Sequence, residues 1–208
     1  MNLLNKHILT FDLETSGLNL NFDLPWEIAW SIHHGYKLIE NRQYFLKWPG
    51  GLKVSDGAAR VTNYNPFKIE QEGKEPKEII DIFCKFLFNK EHIIVGANIL
   101  GYDCMILNSA RKLLGYSTDY SYLERCYDTV ALAKAYKQNT QFKKEDNFLA
   151  WQYRLLNTKV KGLKTSNSTM YKELTGNEID HTKLHSGIYD IGLTTTVFFE
   201  LMKKTEIQ

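Results

Sequence analysis

Asp12 and Glu14 stand two residues apart at the end of the apolar run Ile8-Leu9-Thr10-Phe11, shortly before Gly17. Side chains two apart on a strand share a face, so these carboxylates converge while Leu13 enters the opposite layer. Convergent carboxylates at a strand end can hold a divalent cation. Acids also end strands simply because they are solvated, and the pair alone does not decide between the two. A third acid, Asp103, follows the run Ile93-Ile94-Val95 and the loop Gly96-Ala97-Asn98-Ile99-Leu100-Gly101-Tyr102. It opens an apolar helical stripe, where a carboxylate serves as a helix cap or as a ligand. Asn98 is either a turn residue or a buried amide that fixes this loop. A fourth acid, Asp190, falls on the helical stripe of Thr194, Val197 and Leu201 and so points toward the core. An acid placed there is costly unless it coordinates a cation or meets a buried Lys or Arg. His185 lies five residues earlier. At about 100° per residue that is a different helical face, which places the imidazole just before or at the helix start. Together these groups suit metal-dependent hydrolysis, with hard carboxylates for cations and an imidazole that exchanges a proton near neutral pH.

Such groups need a scaffold, and the order of apolar patterns supplies one. Ile8 to Phe11, Ile28 to Ile32, and Lys37 to Ile39 with Tyr44 to Leu46 read as strands at hairpin spacing, with Gly35 at the turn between the second and third. Pro76 opens an amphipathic helix carrying Ile79, Ile80, Phe83, Phe86 and Leu87. Ile93 to Val95 reads as a buried strand, and Met105, Ile106, Ala110, Leu113 and Leu114 as a helix stopped by Gly115. A short strand at Arg125 to Tyr127, a helix over Thr129 to Tyr136 and a long helix from Ile188 to Lys203 complete the pattern. Strands followed by alternating helices and strands predict an α/β fold, a mixed sheet with helices on its faces. The Lys-rich segment 137–169 reads as a mobile loop.

Composition narrows the function. The 26 basic and 24 acidic residues leave a net charge of +2, so any nucleic-acid site must be local. No apolar run approaches the roughly 20 residues of a membrane helix, and Met1 to Lys6 lacks a signal layout, so a cytoplasmic protein with no membrane partner is expected. Cys84, Cys104 and Cys126 fit no CxxC pattern and read as small core residues. His33, His34, His92 and His181 read as surface or turn residues. Lys143, Lys144, Lys159, Lys161 and Lys164 either contact backbone phosphates or form a solvated face.

Asp12-Leu13-Glu14-Thr15-Ser16-Gly17-Leu18, then Asn98 to Asp103, then His185 to Asp190 resemble, in order and spacing, the three motifs of the DEDDh (DnaQ-like) 3′→5′ exonuclease family. Leu24 to Ile32, Val54 to Thr62 and Asp128 to Ala133 are similar to further segments of that family, so the resemblance spans nearly the whole chain. Ser16 stands where Thr is usual, Ala97 where His is, Tyr102 where Phe is, and Gly187 where Ala is. These positions flank the catalytic ones and bear on substrate preference.

The resemblance implies a ribonuclease H-like sheet of about five strands, one antiparallel, flanked by helices on both faces, with residues 1–208 forming a single exonuclease domain. It implies metal-dependent release of nucleoside monophosphates from single-stranded 3′ ends, DNA ahead of RNA. On the same resemblance Asp12 would bridge two divalent ions, Mg²⁺ with Mn²⁺ able to substitute. Glu14 and Asp190 would help hold the ion carrying the nucleophilic water, Asp103 would support the second, and His185 would be the general base. By the same resemblance Leu18 would wedge against the terminal base, the backbone of Thr15 to Leu18, including Gly17, would approach the terminal sugar, and Asn98 would belong to the substrate-binding set. Tyr102 and Trp26 are candidates for stacking on a base or for ordinary core. A DNA polymerase or another replication or repair protein is a candidate partner, and a homodimer a candidate assembly. Two other classes stay open: a non-catalytic nucleic-acid or polymerase-partner binding domain that kept the fold, and a ribonuclease H-like endonuclease.

Overall fold

A computed structural model describes residues 5–143 and 145–205. Its core is one five-stranded sheet in the order β3-β2-β1-β4-β5, formed by β1 (His7–Thr15), β2 (Pro25–His34), β3 (Lys37–Phe45), β4 (His92–Gly96) and β5 (Cys126–Asp128). The β1–β2 and β2–β3 pairs are antiparallel, and β1–β4 and β4–β5 are parallel, so β2 alone runs against the rest. That is the mixed sheet the sequence predicts. The second and third strands do meet at Gly35, whose φ of 58° lies in the left-handed region. The third strand is continuous, because the polar stretch between its two apolar pieces belongs to an edge strand with a solvated side.

Strand alternation builds two cores. Leu9, Phe11 and Leu13 face one layer with Ile28, Trp30 and Ile32. Against them pack α3 (Pro76–Leu87) and α4 (Asp103–Leu113), which present Ile79, Ile80, Phe83, Ile106 and Leu107. Ile8, Ile93 and Val95 face the other layer, which contains α5 (Thr129–Lys137), α7 (Asn167–Thr175) and α8 (Gly187–Lys204), with Val197, Phe198 and Leu201 from the last. Thr10, on this second face, accepts a buried 2.9 Å hydrogen bond from Thr195 of α8. The same alternation sends Asp12 and Glu14 toward α8, at the carboxyl end of β1, where α/β sheets gather their sites. Cys104 and Cys126 are buried and Cys84 partly so, as their reading as core residues requires.

Two expectations need correction, and two elements come in addition. The segment 137–169 is not a loop: it holds α6 (Phe148–Asn157) and the start of α7. Asn147 caps α6, whose Trp151, Gln152 and Leu155 are buried, an apolar face that the surrounding lysines mask in the sequence. Two short helices, α1 (Asp56–Thr62) and α2 (Pro66–Glu72), occupy the link between β3 and α3, announced by Ser55 and Asn65 caps and by Pro66 at the first turn. His92 is buried inside β4 and His33 is half-buried against Phe199, so neither is a surface or turn residue. His34 and His181 are exposed.

Candidate active site

Asp12, Glu14, Asn98, Tyr102, Asp103, His185 and Asp190 line one open cavity of about 370 Å³ at the carboxyl ends of β1 and β4. Three separate stretches of chain deliver them. Asp12 and Glu14 come from β1. Asp103 is the first residue of α4 and does not cap its own helix; its Oδ1 accepts a 3.1 Å hydrogen bond from the Leu13 backbone N–H, locking the second motif onto the first. Asp190 lies in the first turn of α8, and His185 lies just ahead of it with φ 61°, outside the helix as its spacing demands.

Asp128 fixes the loop between β4 and α4. It is fully buried, its two oxygens accept from the N–H groups of Asn98 and Leu100, and Oδ1 also caps α5 through Val130 and Ala131. Asn98 is exposed, not buried, and its φ of 58° makes it the turn residue of the loop. Tyr102 ties the loop to the first motif, sharing a 2.7 Å hydrogen bond with Thr15 Oγ1 and donating to the Gly17 carbonyl. Thr15 and Gly17 are buried and do not line this cavity, and a side chain on Gly17 would meet the Asp23 carboxylate. Leu18 is 86% exposed at the tip, free to touch a ligand, whereas Trp26 is buried and is core. Lys143, Lys159, Lys161 and Lys164 are exposed; Lys144 lies outside the described residues.

Burial dominates the electrostatics. It raises the Asp12 carboxyl well above its ordinary value, with repulsion from Asp103, Asp190 and Glu27 added. Burial and then the neighbouring acids push Glu14 up to about 9, burial carries Asp103 to about 7, and Asp190 reaches about 6 with His185 pulling it back. Among the described residues no Lys or Arg forms an ion pair with any of these four acids. Convergent buried carboxylates without a Lys or Arg partner among the described residues fit divalent cations. Ligand atoms of Glu14, His185 and Asp190 all lie within 4.8 Å of one another.

Two features were missed in the sequence. Glu27 of β2 is the register partner of Glu14 on the neighbouring strand and is buried. Its signal was a lone acid inside the apolar strand Trp26-Glu27-Ile28-Ala29-Trp30. Asn167 and Ser168 at the start of α7 line the cavity, inside the segment read as a loop.

No family model matches the chain, and no curated protein matches it in sequence. Solved structures do match it in shape. E. coli exonuclease I in complex with a dT13 oligonucleotide aligns with a TM-score of 0.72 at 17% identity, covering 97% of this chain and 42% of that one. The same enzyme with a dA16 oligonucleotide gives 0.73 at 16% identity over 97% and 42%. The zinc-bound form of the E. coli exonuclease I–ssDNA complex gives 0.72 at 15% identity over 96% and 40%. The chain thus has the ribonuclease H-like fold of these enzymes and spans about two fifths of their length. No helix among the described residues is long and apolar enough to cross a membrane.

Proposed function

We propose that this chain is a metal-dependent 3′→5′ exonuclease of the DEDDh family that releases nucleoside monophosphates from single-stranded 3′ ends, DNA before RNA. The observation that carries this reading is the meeting of Asp12, Glu14, Asp103 and Asp190 with His185 in one open cavity, where no Lys or Arg among the described residues forms an ion pair with the acids. Shape similarity to exonuclease I bound to single-stranded DNA favours the same polymer.

The four acids would hold two divalent ions, Mg²⁺ or in its place Mn²⁺, which when bound supply charge stabilisation for the phosphate and an acidified water. The chain's own residues supply the rest. His185, at the cavity rim within reach of Glu14 and Asp190, accepts the proton of the attacking water. Asp103, held by the Leu13 N–H, and Tyr102, held by Thr15 and Gly17, keep the second motif in register with the first. Leu18, exposed beside the first motif, contacts the terminal base. A preset geometry of this kind lowers the entropic part of the barrier.

The test is nucleotide release from end-labelled single-stranded DNA and RNA with Mg²⁺, Mn²⁺ or chelator. Stepwise release of mononucleotides that stops with chelator and with Asp12→Ala is expected. Tight binding without release under either ion would support the non-catalytic binding domain instead.

A further inference from the structure

β2 is buried along most of its length, and Glu27 inside it is only 3% exposed. Its Oε1 accepts a 2.8 Å hydrogen bond from the backbone N–H of Gly187, the first residue of α8, and a second at 2.8 Å from Gln43 Nε2 on β3. The first N–H groups of a helix lack partners within it, and Ser186 in the capping position of α8 makes no side-chain cap. Glu27 therefore does from a neighbouring strand what a capping Ser or Asp does locally. The approach is close: a Cβ on Gly187 would lie 2.5 Å from both Glu27 Oε1 and Ala29 Cβ. Only glycine lets α8 start at this depth, and the two residues that depend on that depth are His185, two positions before, and Asp190, three positions after.

We propose that Glu27 is a positioning residue: its hydrogen bond to Gly187 sets where α8 begins and so where His185 and Asp190 stand relative to Asp12 and Glu14. This rests on the exonuclease reading. The side chain acts through its acceptor atom, so glutamine, which keeps that atom and can take both hydrogen bonds, substitutes for it. Alanine does not.

The experiment is steady-state kinetics on 3′-labelled single-stranded DNA with a Mg²⁺ titration, for wild type, Glu27→Gln, Glu27→Ala and Gly187→Ala, beside circular dichroism. Glu27→Ala and Gly187→Ala should lower kcat about 10–100-fold, the effect of losing an orienting partner near a metal site. KM should stay within a few-fold, the Mg²⁺ needed for half-maximal rate should rise, and Glu27→Gln should restore kcat to within a few-fold of wild type. A purely architectural role would lower the melting temperature without this split. An unchanged kcat in folded Glu27→Ala, or a Glu27→Gln as impaired as Glu27→Ala, would overturn the proposal. If Glu27→Ala fails to fold at the assay temperature, Gly187→Ala, which leaves every buried charge in place, decides by the same criterion. A wild type without nuclease activity would overturn the exonuclease reading and this proposal with it, whereas an active wild type with unimpaired variants overturns this proposal alone.

Discussion

Replacing Asp190 with asparagine should stabilise the metal-free protein while removing its activity. Burial holds this carboxyl at about 6 against an ordinary 3.8. At about 1.36 kcal/mol per tenfold change in proton affinity, the anion costs the fold about 3 kcal/mol. The site is open to water, and screening reduces the figure to about 1 kcal/mol. The sign follows from proton counting. Between the two pKa values the folded chain binds more protons than the unfolded one, so stability falls as pH rises from about 4 to 6 and stays low above that. Asparagine has the same shape and no charge, so the variant escapes the loss. For a chain of this size about 1 kcal/mol moves the melting temperature by about 2–4 °C. Thermal melts in chelator should therefore place Asp190→Asn about 2–4 °C above wild type at pH 8, with the gap closing by pH 4. A saturating divalent ion reverses the order, since an ion at 100 times its Kd adds about 2.7 kcal/mol to the form that binds it. An Asp190→Asn that melts below wild type at pH 8 in chelator would refute the claim that burial makes the Asp190 carboxylate costly to the metal-free fold.

His185→Asn keeps a residue tolerant of the left-handed backbone at φ 61° and removes the imidazole; kcat should drop about 10²–10⁴-fold at pH 7 with the melting temperature unchanged. Gln152→Ala deletes an acceptor for the Asp128 N–H and a donor to the Cys126 carbonyl, both at 2.8 Å and fully buried, and should destabilise the protein by about 2–4 kcal/mol in urea unfolding. Leu18→Ser, at an exposed tip, should leave stability within about 0.5 kcal/mol of wild type and raise KM for single-stranded ends.

Much of the site was legible because its chemistry is local. Asp12 and Glu14 declare a shared face by their spacing, and the stripe of Thr194, Val197 and Leu201 fixes the inward direction of Asp190. The left-handed backbone at His185 and the capping contact at Gly187 are tertiary, and no spacing reports them. Glu27 escaped notice because its role depends on Gly187, 160 residues away. Helix α6 escaped because Trp151, Gln152 and Leu155 are flanked by lysines and acids that lower the average apolar signal; the Asn147 cap was the surviving local mark. Asp128 could be read as the opening of a helix, but its hold on Asn98 and Leu100 could not, since the loop it fixes belongs to a different crossover.

The most direct measurement sets a 5′-labelled linear single-stranded DNA against a circular one of the same sequence, each with Mg²⁺ and with chelator. A ladder that shortens one nucleotide at a time from the 3′ end, an intact circle, and no reaction in chelator are expected. Cutting of the circle would contradict the account and make the chain an endonuclease of the same fold.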